Sequence, residues 1–259
     1  NKVLEKDEKK VLNEEQKNAY HAIVASLNQY EKFLLYGVTG SGKTEVYMQV
    51  IERVLEKKQT AIVLVPEISL TPQFVTNFKK RFQDKVAVLH SGLSDGERYD
   101  EWRKIERDEV DIVIGARSAI FAPLKNLGII IVDEEHSESY KQENNPRYNA
   151  IEVAEYRGEY NRIPVVLGSA TPTLERMAKS TKNLYKRLEL KHRVNNQTLP
   201  ICTCVDMALE LKKRNPILSE RLKVEIESSV SRHEQVILLL NRRGYATTIT
   251  CSNCGFTYK

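Results

Sequence analysis

The chain has 259 residues, of which 41% are hydrophobic and 29% charged, with a formal net charge of +5. That is apolar material for one large α/β domain or for one domain with part of a second, and it excludes collagen-like, low-complexity and strongly charged disordered chains. No apolar run approaches membrane-spanning length and no basic-then-apolar leader precedes the first element, so a cytoplasmic protein without a membrane partner is expected.

Residues 1–11 are rich in Lys and Glu and read as a frayed linker. A helix follows, with Asn13 as N-cap, Gln16 at the capping-box position and Ala19, Ala22, Ile23 and Leu27 on its apolar face. The run 33–36 reads as a buried strand. Gly37-x-x-x-x-Gly42-Lys43-Thr44 comes next, and then an amphipathic helix with Tyr47, Val50, Ile51, Val54 and Leu55 on one face. Strand, glycine-rich loop and helix form the context of a phosphate-binding loop. Gly37, Gly40 and Gly42, with Thr39 and Ser41 between them, let backbone N–H groups turn inward toward phosphate oxygens. Lys43 can reach the β- and γ-phosphates, and the Thr44 hydroxyl can ligate Mg²⁺. A nucleoside triphosphate is the expected ligand.

Alternating elements follow. Strands are expected at 61–65, 86–89, 111–114, 129–132 and 165–167, and helices at 71–82 and 95–105. Most of the strands are continuous Val/Ile/Leu runs, which indicates burial on both faces. The intervening helices indicate crossover connections and a doubly wound, mainly parallel sheet, with functional residues at the carboxyl ends of its strands. The run 129–132 ends in Asp133-Glu134-Glu135-His136. There Asp133 can hold Mg²⁺ beside Thr44, and Glu134 can orient and deprotonate an attacking water.

After Arg193 the character changes. A short strand at 201–205, a break at Asn215-Pro216, a helix capped by Ser219 and running to about Val230, and a fresh strand at 236–240 look like the start of a second lobe. Cys251-x-x-Cys254 is half of a zinc knuckle, and tetrahedral zinc needs four ligands. Cys202 and Cys204 are read as small buried residues rather than as the other half. The first residue, Asn1, and the end soon after Cys254 suggest a piece of a longer protein.

The set of motifs carries a resemblance. Gly37–Thr44, Asp133-Glu134-Glu135-His136, Val65-Pro66-Glu67-Ile68-Ser69-Leu70-Thr71, Gly115-Ala116-Arg117-Ser118 and Gly168-Ser169-Ala170-Thr171-Pro172 resemble the motifs of superfamily 2 helicases. With 139–142, 146–148 and 241–245 added, the pattern is similar to the replication-restart DNA helicases over residues 12–259. The resemblance implies a RecA-like P-loop NTPase lobe over 12–195 and the start of a second lobe over 196–259. It implies an ATP- and Mg²⁺-dependent helicase, 3′-to-5′ in polarity, that acts on single-stranded and forked DNA. Primosome and single-strand-binding proteins are the implied partners, the protein is a monomer, and Zn²⁺ is held in the full-length protein by Cys251, Cys254 and ligands downstream.

Residue roles follow from the motifs and the resemblance together. Gln16 either caps its helix or reads the adenine edge. His136, Ser169 and Thr171 are expected to couple nucleotide state to DNA-facing loops. Ser69, Thr71, Arg117 and Ser118 lie where a single strand would cross the sheet edge, the alternative for Arg117 being a structural ion-pair partner. Tyr140, Lys141, Arg147 and Tyr148 offer stacking faces and phosphate contacts. Another superfamily 2 motor acting on RNA or branched DNA, a small-molecule kinase and a non-enzymatic DNA-binding piece are the alternatives. The arginine-bearing motifs that a second lobe supplies to the γ-phosphate are absent, so the chain alone is expected to be a poor ATPase.

Overall fold

The computed structural model describes residues 9–194, 200–212, 217–239, 249–250 and 257–258. They fall into two compact units that divide between residues 198 and 199.

The first unit opens with α1 (Glu14–Ala25). Asn13 Oδ1 accepts the Gln16 N–H at 2.9 Å and Gln16 Oε1 accepts the Asn13 N–H at 2.9 Å, the reciprocal cap that the sequence announces. Then come β1 (Lys32–Gly37), α2 (Lys43–Glu56), β2 (Thr60–Leu64), α3 (Pro72–Phe82), β3 (Val86–Leu89), α4 (Asp95–Glu106), β4 (Ile112–Gly115) and β5 (Leu127–Val132). A two-stranded hairpin of β6 (Lys141–Gln142) and β7 (Tyr148–Asn149) leads into α5 (Ala150–Asn161), β8 (Val165–Ser169), α6 (Leu174–Thr181) and β9 (Lys186–Leu190). The linker reading of 1–11 does not hold at Lys10. Its N–H donates to Glu45 Oε1 at 3.3 Å, and its carbonyl accepts Gln49 Nε2 at 2.7 Å, which ties the segment to α2.

Seven strands form one sheet in the order β3-β4-β2-β5-β8-β1-β9, every neighbouring pair parallel. Because side chains alternate along a strand, each continuous apolar run feeds two cores. Phe33, Leu35, Val63, Ile114 and Ile131 pack with α1, α2 and α3 on one face. Leu34, Ile62, Val113, Ile130 and Leu167 pack with Ile105 of α4 and with Ile151 and Ala154 of α5 on the other. The register sets Leu64 beside Val132, Val132 beside Leu167, and Tyr36 beside Ser169. The carboxyl ends of β1, β8 and β5 therefore lie side by side, with β8 in the middle.

The second unit contains α7 (Met207–Lys212), α8 (Glu220–Ser231) and an antiparallel pair, β10 (Ile249–Thr250) with β11 (Thr257–Tyr258). Ser219 caps α8 by accepting the Leu222 N–H at 3.2 Å. The strands expected at 201–205 and 236–240 do not form over 201–205 or 236–239. Ile201 and Ile237 are 97% and 94% exposed, and no neighbouring strand among the described residues pairs with either run. Cys202 and Cys204 are exposed free thiols, contrary to the expected burial. Leu240, the 241–245 motif, Cys251 and Cys254 lie outside the described residues.

Candidate active site

The turn from β1 to α2 is glycine-rich because little else fits. Gly42, the N-cap of α2, sits at φ 79°, and a Cβ there would come within 2.4 Å of Gln16 Nε2. A Cβ on Gly37 would stand 2.6 Å from Ser41 Oγ. Lys43 is buried and its Nζ donates to the Gly37 carbonyl at 3.0 Å, so the ammonium reaches across the loop. The Ser41 hydroxyl is buried with no hydrogen-bond partner among the described residues. Gln16 Nε2 donates to the Ser41 carbonyl at 2.8 Å, so Gln16 caps α1 and braces the loop with the same amide. From the end of β9 the chain returns over the loop, with Val38 N–H donating to Leu190 O at 3.1 Å and Val194 N–H to Gly40 O at 3.0 Å. Arg193 Cγ lies 3.8 Å from the place a Cβ on Gly40 would take.

Asp133, just past β5, donates its N–H to Leu64 O at 2.9 Å, which fixes it at the sheet edge. Its Oδ1 accepts the Tyr47 hydroxyl of α2 at 3.0 Å, and its backbone carbonyl accepts the Tyr140 hydroxyl. Burial pushes the Asp133 carboxyl above the usual carboxylate range, and the neighbouring charge of Glu134 adds to it, while Lys43 and Tyr47 oppose the rise. Burial and the Asp133 charge push the Tyr47 phenol well above its ordinary value, so it stays a donor. A neutral donor on one carboxylate oxygen and a lysine nearby leave a buried anion that a cation would complete. Glu134, past the end of β5, takes a left-handed φ of 48° and is only partly buried.

β8 joins the two halves. His136 Nδ1 lies 2.8 Å from Ser169 Oγ, which accepts the Thr171 N–H at 3.0 Å. His136 Nδ1 also stands 3.6 Å from Glu134 Oε2. Glu135 donates its N–H to Gly168 O at 3.0 Å, accepts the Thr173 N–H at 2.9 Å and pairs with Arg176 at 2.9 Å. A Cβ on Gly168 would overlap the Tyr47 hydroxyl at 1.6 Å, so the Tyr47–Asp133 bond needs glycine there.

The expected DNA-facing residues separate into two groups. Ser118, Lys141 and Arg147 are exposed, and Ser69 and Tyr148 are partly exposed. Thr71 is exposed at the head of α3, whose Phe74 N–H it accepts at 3.2 Å. Arg147 Nε donates to Glu143 O at 3.0 Å within its own turn. Arg117 is held internally: Nη1 donates to Ser139 O at 3.3 Å and Lys141 O at 2.9 Å, with its guanidinium 5.8 Å from the Tyr148 ring centre. Tyr140 overturns its expected role as a stacking face. It is 1% exposed, with its ring packed in the core beneath the sheet and its hydroxyl on Asp133. A tyrosine next to Lys141 and seven residues before Arg147 has the composition of a base-stacking loop, but here the ring fills the core.

Reasoning from sequence missed Tyr47, Gly168, Glu135, Arg176 and Arg193. Tyr47 carried a usable signal, since it sits one turn after Thr44 and brings a phenol to a helix that starts at a phosphate loop. The others depend on contacts among β8, α6, the turn after β5 and the chain past β9 that spacing does not encode.

A model of the DEAD/DEAH box helicase family matches residues 13–180. The chain is 55% identical over 258 residues to the Replication restart protein PriA of Bacillus subtilis (strain 168), covering 98% of this chain and 32% of that protein. It is 48% identical over 241 residues to the Replication restart protein PriA of Synechocystis sp., covering 90% of this chain and 29% of the relative. The chain thus spans about a third of the length of the curated relatives it matches. Among solved structures, RecG bound to a three-way DNA junction aligns with a TM-score of 0.50 and 23% identity, over 70% of this chain and 24% of that one. That likeness is one of fold, and the parallel sheet with flanking helices is the RecA-like one.

Proposed function

The chain belongs to the DEAD/DEAH box helicase family, and we propose that it is the ATP-binding lobe of a DNA helicase that remodels stalled forks for primosome assembly and replication restart. The observation that carries this reading is the order β5-β8-β1. It places Asp133-Glu134, Ser169-Ala170-Thr171 and the Gly37–Thr44 loop on three adjacent strand ends.

The residues fit a triphosphate and its cation. The glycine cradle, the partnerless Ser41 hydroxyl and the Lys43 ammonium supply donors for phosphate oxygens, with Thr39 at the loop's exposed tip. Thr44 and Asp133 are the residues that would hold Mg²⁺, which when bound neutralises charge on the β- and γ-phosphates. Lys43 exchanges its bond to Gly37 O for a phosphate oxygen. Glu134 orients water for attack and takes its proton. Gln16 acts through the loop it braces, and its second amide hydrogen would be available to read the base edge. His136 and Ser169 form the contact through which a change at Glu134 passes to β8, and Thr171 extends it.

The relatives' name, Replication restart protein PriA, supports DNA as the track. Ser69, Thr71, Ser118, Lys141, Arg147 and Tyr148 would meet a single strand, Arg117 positions the hairpin beside it, and the polarity is 3′-to-5′. Fork DNA, primosome proteins and single-strand-binding protein are the partners, the protein works as a cytoplasmic monomer, and in the full-length protein Cys251 and Cys254 contribute to a Zn²⁺ site.

Steady-state phosphate release by the full-length protein, with single-stranded DNA, forked DNA or RNA, tests the reading. DNA is expected to stimulate turnover and Lys43→Ala to abolish it. Stimulation by RNA alone, or phosphate transfer to a small acceptor instead of water, would overturn it.

A further inference from the structure

A groove of about 480 Å³ opens beyond the carboxyl ends of β3 and β4, away from the phosphate loop. Trp102 of α4, a residue 38% exposed, lines it. Leu89 and His90 at the end of β3 and Arg117 and Ser118 after β4 line it as well, and Arg98, one turn before Trp102 on α4, is its rim cation. Glu67 also lines the groove, which is unexpected for a surface that would track phosphates, because a carboxylate repels them. Its Oε1 accepts both the N–H and the hydroxyl of Ser91, the former at 3.1 Å, and its Oε2 has no hydrogen bond among the described residues. The Ser91 bonds hold the Glu67 carboxyl below its ordinary pKa, so the group is an anion with one oxygen free to accept.

An indole, Leu89 and His90 beside it, an arginine at the rim and one carboxylate oxygen fixed by Ser91 match a nucleobase better than a backbone. The ring stacks, Arg98 takes the flanking phosphate, and the carboxylate accepts from base N–H groups. We propose that this groove holds one unstacked base of the bound single strand, with Trp102 as its stacking wall and Glu67 as the acceptor that reads its edge. The inference rests on the nucleic-acid reading above and adds a base-contacting site to it. Guanine, which presents adjacent N1–H and N2–H donors, suits the carboxylate best. Thymine, whose one ring N–H lies between two carbonyls, suits it worst.

Trp102 is the only tryptophan in the chain, so its emission reports this groove alone. The 259-residue chain is titrated with a fluorescently labelled oligothymidine and with the same strand carrying scattered guanines. Anisotropy follows binding while indole emission is read in parallel. Emission is expected to fall saturably along the anisotropy curve, and the guanine-bearing strand to bind about fivefold tighter or more. Glu67→Gln should erase most of that preference, and Trp102→Ala should weaken both strands about fivefold or more. Saturated anisotropy with unchanged emission and an unchanged preference in Glu67→Gln overturns the base site and leaves the DNA reading standing. Flat anisotropy with every strand overturns both.

Discussion

Burial of Asp133 beside Glu134 raises its pKa above that of the unfolded chain, so the native state binds the extra proton. The sign of the linkage follows: stability falls as pH rises from the ordinary carboxylate pKa through the raised one, and the penalty persists at neutral pH. A carboxyl buried at a cost to its charged form is the kind of residue that trades stability for function. Asp133→Asn keeps an oxygen to accept the Tyr47 hydroxyl and removes the charge. It is expected to raise the unfolding free energy at neutral pH by about 0.5–2 kcal/mol, the range common for such relief, while abolishing ATP hydrolysis. Urea denaturation at neutral pH, and again below pH ~4 where an ordinary aspartate is protonated, measures it. The gain should shrink in acid. A variant no more stable than the parent at neutral pH would mean that Lys43 already compensates the charge.

Elements meet in the site through β8, which packs edge to edge with both β1 and β5. Its Gly168 leaves room for Tyr47 to cross from α2 to Asp133, since a Cβ there would overlap the phenol oxygen. Gly168→Ala is expected to displace Tyr47 and to cost about 1–3 kcal/mol, as overpacking does. Adding Tyr47→Phe removes the overlapping oxygen, so the double variant should be less destabilised than the sum of the two single ones. Thermal unfolding of all four proteins gives the coupling, and strict additivity would show that the clash is relieved elsewhere. Contacts of this kind mark the limit of what the sequence discloses. Runs such as 61–65 and 129–132 are apolar on both faces, so the central strands and the doubly wound parallel sheet are legible, as are the Asn13–Gln16 cap and the phosphate loop. β9 is not legible, because an edge strand half open to water carries Lys186, Arg187 and Glu189 and lacks the apolar run. α5 is hidden because its buried face includes Ala150, Ala154 and Gly158 while Tyr156 and Tyr160 point outward. At 201–205 and 236–239 β-propensity is present but no described strand pairs with it, and propensity without a partner makes no sheet.

At the scale of the whole molecule, the loop that the proposed function gives to a triphosphate is thinly supplied with free cations. Lys43 crosses the loop to Gly37 O, Arg193 lies near its tip at Gly40, and Arg176 and Arg117, the cations at the neighbouring strand ends, are committed to Glu135 and to the carbonyls of Ser139 and Lys141. Phosphoryl transfer to water gains roughly three to five orders of magnitude from an arginine presented to the transition state. A motor also gains from having that arginine arrive on a different body, because hydrolysis is then tied to closure of a cleft. The 259-residue chain is therefore expected to bind nucleotide yet hydrolyse it slowly, with single-stranded DNA raising the rate little. Steady-state phosphate release with and without DNA, beside Lys43→Ala and a nucleotide-binding measurement on the same samples, separates the cases. Binding without turnover, lost in Lys43→Ala, fits a lobe that waits for its partner's cation. Rapid turnover stimulated by DNA and lost in the same variant would instead mean that this lobe supplies its own transition-state charge. Arg193, already beside the loop, would then be the first residue to substitute.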